Sequence, residues 1–150
     1  MNYVEISGGS SRQRALVRNA INFAIAEMMP RFRTLDISID ILRKLDGGVF
    51  GYCWPTGERN TFQIEIKRRC SSLDEFLETI FHEMVHVKQY AKKELLETRD
   101  GTFWKGRNYT RQVNTSSKAR NYDVYNKLPW EVEAYEMQDT LTEKFKKNNV

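Results

Sequence analysis

The chain has 150 residues, of which 40% are hydrophobic, 12% aromatic and 29% charged, and its formal net charge is +4. These values are ordinary for a globular protein, and a chain of this length can bury a core without disulfides or a structural metal. Because no shift in composition marks a second domain, we expect a single domain that covers residues 1–150.

Apolar runs and cysteines bear on where the protein acts. No apolar run has the length of a signal-peptide core or a membrane span, which argues against secretion and membrane insertion. Cys53 and Cys70 lie far apart in sequence, so they make neither a disulfide framework nor a paired-cysteine zinc motif. We therefore expect a cytoplasmic protein with reduced thiols and no membrane contact.

The first predicted element is a helix from Ser10 to about Met29. Ser10 and Gln13 have the spacing of a capping box, and Pro30 ends the helix because proline cannot continue it. Apolar residues recur at helical spacing on one face. They are Val17, Ile21, Ala24 and Met28.

Strands follow the first helix. Apolar and polar residues alternate over Leu35–Ile41 and over Thr61–Lys67, which is the period of a half-buried strand. Between them, Gly47 and Gly48 mark a turn into the sequence VFGYCW, which we interpret as a further strand. These segments predict an α+β fold with a small, largely antiparallel or mixed sheet.

The second half of the chain begins with another predicted helix. It runs from Ser72, with Glu75 in capping-box spacing, to about Glu97. The sequence DGTFWKGRNYT then favours a short strand or hairpin, and RQVNTSSKARNYDVYNK favours a polar loop. Pro129 suits the start of a last helix, from Trp130 to about Lys146.

The second helix contains the sequence HEMVH, from His82 to His86, which holds both histidines of the chain. At about 100° per residue, both histidines project almost opposite to the apolar stripe of this helix. Histidines four residues apart lie one turn above each other, so both imidazoles can bind one zinc ion. Glu83 projects about 60° from His86, where its carboxylate can reach a metal-bound water. Two exposed histidines on a solvent face are the alternative.

This pattern on a helix that follows a small sheet resembles the zincin metallopeptidases. The resemblance implies a zincin-like α+β fold, in which the sheet packs against an N-terminal helix, the HExxH helix and a C-terminal glutamate helix. It implies that His82 and His86 bind Zn²⁺ and that Glu83 is the general base in the hydrolysis of a peptide or protein substrate. It also implies that the strand Thr61–Lys67 lines the substrate cleft.

A catalytic zinc site needs a third protein ligand. No further histidine exists, so the ligand is a carboxylate or, less well supported, Cys53 or Cys70. The sequence LPWEVEAYEMQ resembles the glutamate helix of the gluzincins with its Glu-x-x-Ala pattern, which implies that Glu131 is the ligand and Ala134 the small residue between the helices. Helical geometry alone leaves Glu133 open, because both glutamates project about 80° from the apolar stripe, on opposite sides.

Two features of the gluzincin pattern are missing. Tyr135 stands where family members have an aspartate that orients a zinc-binding histidine. The histidine that stabilises the oxyanion is also absent, which leaves a tyrosine, arginine or asparagine, with Tyr109 and Tyr122 as candidates by location. The order of parts from Ser71 to Leu141 resembles the minimal zincin-like metallopeptidases encoded by bacteria and their phages.

Residues 99–120 favour a second function. This segment has six Lys or Arg residues against one Asp, and Phe103, Trp104 and Tyr109 lie among them. Such interleaving suits weak contact with a nucleic acid strand, although a solvated strand and loop in a basic protein is the simpler interpretation. A zinc-stabilised, non-catalytic interaction domain is a third alternative, because the oxyanion histidine is missing.

Overall fold

A computed structural model describes residues 1–119 and 122–148. Its strands are β1 (Tyr3–Gly8), β2 (Asp36–Leu42), β3 (Gly51–Pro55), β4 (Thr61–Lys67), β5 (Leu95–Thr98), β6 (Gly101–Trp104) and β7 (Arg107–Asn108). Its α-helices are α1 (Ser11–Met28), α2 (Leu73–Ala91), α3 (Thr110–Ala119), α4 (Tyr122–Asn126) and α5 (Pro129–Asn148). These described residues form an α+β structure with a mixed sheet and five α-helices. None of the helices found there is both long and apolar enough to cross a membrane.

The main sheet has the strand order β1-β2-β4-β3. The strands β1, β2 and β4 are parallel, and β3 pairs antiparallel with β4 at the edge. The sheet is therefore mixed rather than largely antiparallel. The difference has two causes. The strand β1, which was not among the predicted elements, pairs with β2 after the connection through α1, and such a connection makes neighbouring strands parallel. In addition, β2 pairs with β4 and not with β3, the next strand along the chain.

One face of this sheet forms the main core with α1 and α2. Burial alternates along β2 and β4, so every second side chain points towards the helices, and the predicted alternation of both strands is confirmed. The predicted apolar stripe of α1 is buried as well. On its other side α2 packs against α5.

The end of α2 differs from the prediction. The sequence favours a helix to about Glu97, whereas α2 ends at Ala91. Lys93 adopts a left-handed conformation with φ of 60°, and the amide of Glu94 donates to the carbonyl of Gln89 at 2.9 Å. The chain can then pair Leu95 with Trp104 in the small antiparallel sheet of β5, β6 and β7.

The predicted polar loop also differs from the structure. Residues 111–127 include most of α3 and all of α4, while residues 120 and 121 lie outside the described residues. These helices are short and mostly polar, so the sequence has no strong helical period. Val113 of α3 packs against a second core cluster, which contains Leu95, Trp104, Leu128 and Trp130. This second core fixes the start of α5.

Candidate metal centre

Three predicted site residues meet where α2 faces α5. Nε2 of His82 lies 3.1 Å from Oε1 of Glu131, and Nε2 of His86 lies 3.1 Å from Oε2 of the same carboxylate. The ligand atoms offered by the three side chains all lie within 4.8 Å of one another, so the group could hold a metal ion. His86 and Glu131 are buried and His82 is half-buried.

The alternative third ligands lie elsewhere. The Oε1 atom of Glu133 accepts hydrogen bonds from Nζ of Lys88 at 2.8 Å and from Nε2 of Gln89 at 3.0 Å. Among the described residues, neither Cys53 nor Cys70 belongs to the group of potential metal ligands. Of the residues considered as a third ligand, only Glu131 lies beside the two histidines. Ala134, one turn later, is completely buried.

A glutamine holds each histidine ring. Nδ1 of His82 lies 2.8 Å from Oε1 of Gln138, and Nδ1 of His86 lies 2.8 Å from Oε1 of Gln89. The Gln89 amide is fixed, because its Nε2 donates to the Trp130 carbonyl at 2.9 Å and to Glu133. An amide oxygen only accepts, so Nδ1 of His86 carries the proton.

This arrangement fits a cation between the rings and the carboxylate. A neutral His86 protonated at Nδ1 directs a lone pair from Nε2 towards Glu131, and two facing acceptors repel each other unless a proton or a metal ion lies between them. Burial opposes a charged ring, but Glu131 outweighs it and raises the pKa of His86 to about 9. Burial likewise acts against the Glu131 carboxylate, but its hydrogen bonds with His82 and His86 dominate and lower its pKa to about 2.

Glu83 lies beside this group. Its side chain is only 6% exposed and lines a cleft. Within the described part of the chain, no hydrogen bond or ion pair involves its carboxylate. Burial raises the pKa of Glu83, and the nearby histidines offset only part of this effect. The residue is therefore available to exchange a proton with a molecule in the cleft.

The cleft has a volume of about 900 Å³ and lies between β3 and α5, with α2 as its floor. The strand of the main sheet that lines it is β3, through Gly51, Tyr52 and Cys53, and not the predicted Thr61–Lys67. The reason is the strand order: β4 lies in the interior of the sheet between β2 and β3, so β3 forms the edge of the sheet next to the cleft. A Cβ atom on Gly51 would lie 3.1 Å from Oε1 of Glu83, so glycine allows the close approach of β3.

Two tyrosines that the sequence did not single out as donors line the cleft. Tyr125 lines the cleft near Glu131, and burial followed by the charge of Glu131 raises the pKa of its hydroxyl. The Tyr135 ring contacts the His82 ring at a centroid distance of 4.7 Å. Tyr135 follows Glu131 by four residues, a spacing that places both on one helix face, whereas Tyr125 lies in a predicted loop and carries no such signal.

The predicted oxyanion candidates and the basic segment have other surroundings. Tyr109 packs edge-on against Trp130 at 5.7 Å, and the side chain of Tyr122 lies outside the described residues. Trp104 is buried in the same cluster, so these aromatic rings are not free for base stacking. Nucleic-acid contact through residues 99–120 stays a prediction, which the salt dependence of oligonucleotide binding would test.

Comparisons with models of protein families, with curated proteins and with solved structures find no match for this chain. A functional proposal for this chain therefore rests on the geometry and chemistry of the site itself.

Proposed function

We propose that the protein is a zinc-dependent peptidase with a zincin-like site, in which Glu83 is the general base. One observation carries the proposal: His82, His86 and Glu131 converge in a cleft of about 900 Å³, beside the buried Glu83 carboxylate, which has no hydrogen-bond or ion-pair partner among the described residues. The cleft is large enough to admit part of a peptide chain.

The donor set suits Zn²⁺. Two imidazole nitrogens and one carboxylate oxygen form a common set of three ligands, and a fourth position stays open for water. A zinc ion bound there would lower the pKa of this water and polarise the carbonyl of the scissile peptide bond. His82, His86 and Glu131 would hold the ion, and Gln89 and Gln138 would fix the two rings through Nδ1.

Glu83 would move the proton. Its carboxylate takes a proton from the attacking water and then gives it to the leaving amine, which needs a group that ionises near the working pH. Burial raises its pKa in this direction. The absence of a hydrogen-bond partner among the described residues leaves both carboxylate oxygens for this task.

Tyr125 and Tyr135 would donate the hydrogen bond to the oxyanion that gluzincins obtain from a histidine, which is absent here. Both line the cleft, and the Tyr135 ring contacts the His82 ring. A phenol hydroxyl can donate a hydrogen bond to the oxyanion that develops on the substrate carbonyl.

The test is the metal content of purified variants, measured by plasma mass spectrometry. We expect about one zinc per chain in the wild type, as for a three-ligand catalytic site, and loss of zinc in His86→Ala and Glu131→Ala. Glu136→Ala, an exposed glutamate on the same helix, is the control and should keep zinc.

Glu83→Gln separates binding from catalysis. This variant should keep zinc and lose peptide hydrolysis, because glutamine cannot accept the proton of the water. No zinc uptake by the chelator-treated wild type would overturn the zinc site. Full zinc occupancy without hydrolysis of any peptide would instead favour the zinc-stabilised interaction domain.

A further inference from the structure

The cleft carries negative charge, although the whole chain has a formal net charge of +4. Among the residues that the structure describes, five carboxylates line it and no Lys or Arg does. They are Glu75, Glu78, Glu83, Glu97 and Glu131. A divalent ion at the proposed metal centre would offset the charges of Glu83 and Glu131 but not those of the other three.

These three carboxylates differ in their surroundings. Glu75 accepts hydrogen bonds from the amide and the hydroxyl of Ser71 at the start of α2. Glu78 lies near other carboxylates, Asp139 among them. Glu97 lies on β5 and accepts a hydrogen bond from the Tyr90 hydroxyl, which fixes its position without neutralising it. No ion pair within the described ranges includes Glu97.

Leu95 lies two residues before Glu97 on the same face of β5, and it packs with Leu128, Trp130 and Val113 in the second core. Leu95 and Leu128 are buried, and they line the cleft together with Val113 and Trp130. This part of the cleft, the Glu97 pocket, therefore places an apolar surface beside an exposed carboxylate. This combination suits a side chain with an aliphatic stem and a cationic head, because the stem can pack on the walls while the head pairs with the carboxylate.

The Glu97 pocket adjoins the proposed catalytic base. Tyr90, whose hydroxyl donates to Glu97, lies one helical turn after His86 on α2, and Glu97 lines the same cleft as Glu83. Burial, followed by the charges of Glu83 and Glu97, also raises the pKa of the Cys53 thiol on β3. An extended peptide advances by only about 3.3 Å per residue. A side chain held at Glu97 therefore belongs to a residue close to the bond that Glu83 acts on.

The geometry points to a specificity pocket in which Glu97 selects peptide substrates with an arginine or lysine side chain next to the scissile bond. This inference rests on the proposed peptidase function. Lysine and arginine would use the same carboxylate, and arginine would bind better because its guanidinium offers several donors to it.

The test measures peptide binding to the Glu83→Gln protein by fluorescence anisotropy at low salt. The probes are fluorescein-labelled Ala/Ser octapeptides with one arginine placed at each position in turn, and matched peptides with citrulline, which has nearly the same shape without the charge. At one position we expect the arginine peptide to bind about fivefold more tightly or better, as for a partly exposed ion pair.

Three further variants assign this preference to Glu97. In the Glu83→Gln protein, the additional substitution Glu97→Gln should abolish the preference for arginine while keeping an acceptor for the Tyr90 hydroxyl. The substitution Glu97→Lys should instead reverse the preference in favour of a peptide with glutamate at the same position. Glu143→Gln, an exposed residue outside the cleft, should leave it unchanged. Equal affinity for the arginine and citrulline peptides at every position, or a preference that survives Glu97→Gln, would overturn the inference.

The same peptides keep the two proposals apart when they are incubated with the zinc-loaded wild type and analysed by mass spectrometry. Cleavage with no preference for arginine would overturn the specificity pocket and support the peptidase. A preference in binding that depends on Glu97, without cleavage of any peptide, would support the pocket and contradict the peptidase.

Discussion

At the scale of single residues, Tyr135 stands where gluzincins have an aspartate that orients a zinc-binding histidine, and other side chains can take over this role. Gln89 occupies the position behind His86, and its amide nitrogen is held by Glu133, which is itself paired with the buried Lys88. Lys88 also pairs with Glu94 at 2.9 Å. An orienting carboxylate is thus present, but it acts on the histidine through a glutamine.

Replacing Gln89 should therefore weaken the metal centre. Gln89→Leu removes the acceptor for Nδ1 of His86 and leaves the ring free to turn. We expect zinc affinity to fall about 10- to 100-fold, the usual effect of losing such a supporting contact. Competition with a chromogenic chelator measures this, and Gln112→Leu, at an exposed position, serves as the control. Unchanged affinity would contradict the role assigned to Gln89.

Gly51 offers a test of how closely β3 approaches Glu83. In Gly51→Ala the new Cβ would meet Cγ2 of Thr79 at 3.0 Å and Cγ and Oε1 of Glu83, each at 3.1 Å, so both side chains have to shift by a few tenths of an ångström. We expect kcat/KM for peptide hydrolysis to fall about tenfold, because general bases act only at close and correct distances. Zinc content should stay the same, and its loss would indicate a wider disturbance.

At the scale of elements, local patterns predicted more than distant contacts did. Periodicity identified α1, β2, β4 and the HEMVH helix, because each of these buries one face against the core. The placement of Glu131 beside the histidines required the gluzincin resemblance, since helical geometry alone left Glu133 open. Gln89 and Gln138 gave no signal, because their roles depend on contacts within the folded site.

The early end of α2 shows why the remainder was hard to predict. Residues 92–97 have a composition that suits a helix. Residues 95–98 nevertheless form β5 and pair with β6, and a pattern within one segment does not reveal this contact with another segment. The local cost falls on Lys93, which takes a left-handed conformation that disfavours a side chain.

This cost predicts a stabilising substitution. Lys93→Gly should raise the free energy of unfolding by about 0.5–1 kcal/mol, because glycine adopts positive φ without strain. Lys92→Gly is the matched control. Lys92 has φ of −82°, which glycine does not favour, so this variant should be less stable than the wild type. Urea unfolding of the two variants measures the difference. Equal destabilisation of both would contradict the assigned strain.

At the scale of the whole molecule, the proposed metal centre joins two parts of the fold. His82 and His86 belong to α2, which packs on the main sheet, whereas Glu131 lies in the first turn of α5, next to Trp130 of the second core. A ligand that binds only this folded arrangement stabilises it by mass action.

Zinc should therefore raise the melting temperature. At about 100 times its dissociation constant it adds about 2.7 kcal/mol, which corresponds to roughly 5–10 °C for a chain of this size. Differential scanning calorimetry in zinc and in a chelator measures the shift, and His86→Ala should show almost none. Equal shifts in both proteins would mean that zinc acts at another site.

The first turns of α5 have a mechanical consequence. Trp130 is buried in the second core, Ala134 is buried in the main core, and Glu131 stands between these anchors. Because packed interiors resist deformation, the position of the Glu131 carboxylate depends on how the two cores are aligned. The visible absorption of bound cobalt would then act as a gauge of this alignment. A shortened anchor such as Trp130→Leu should change that spectrum although no proposed ligand has been altered.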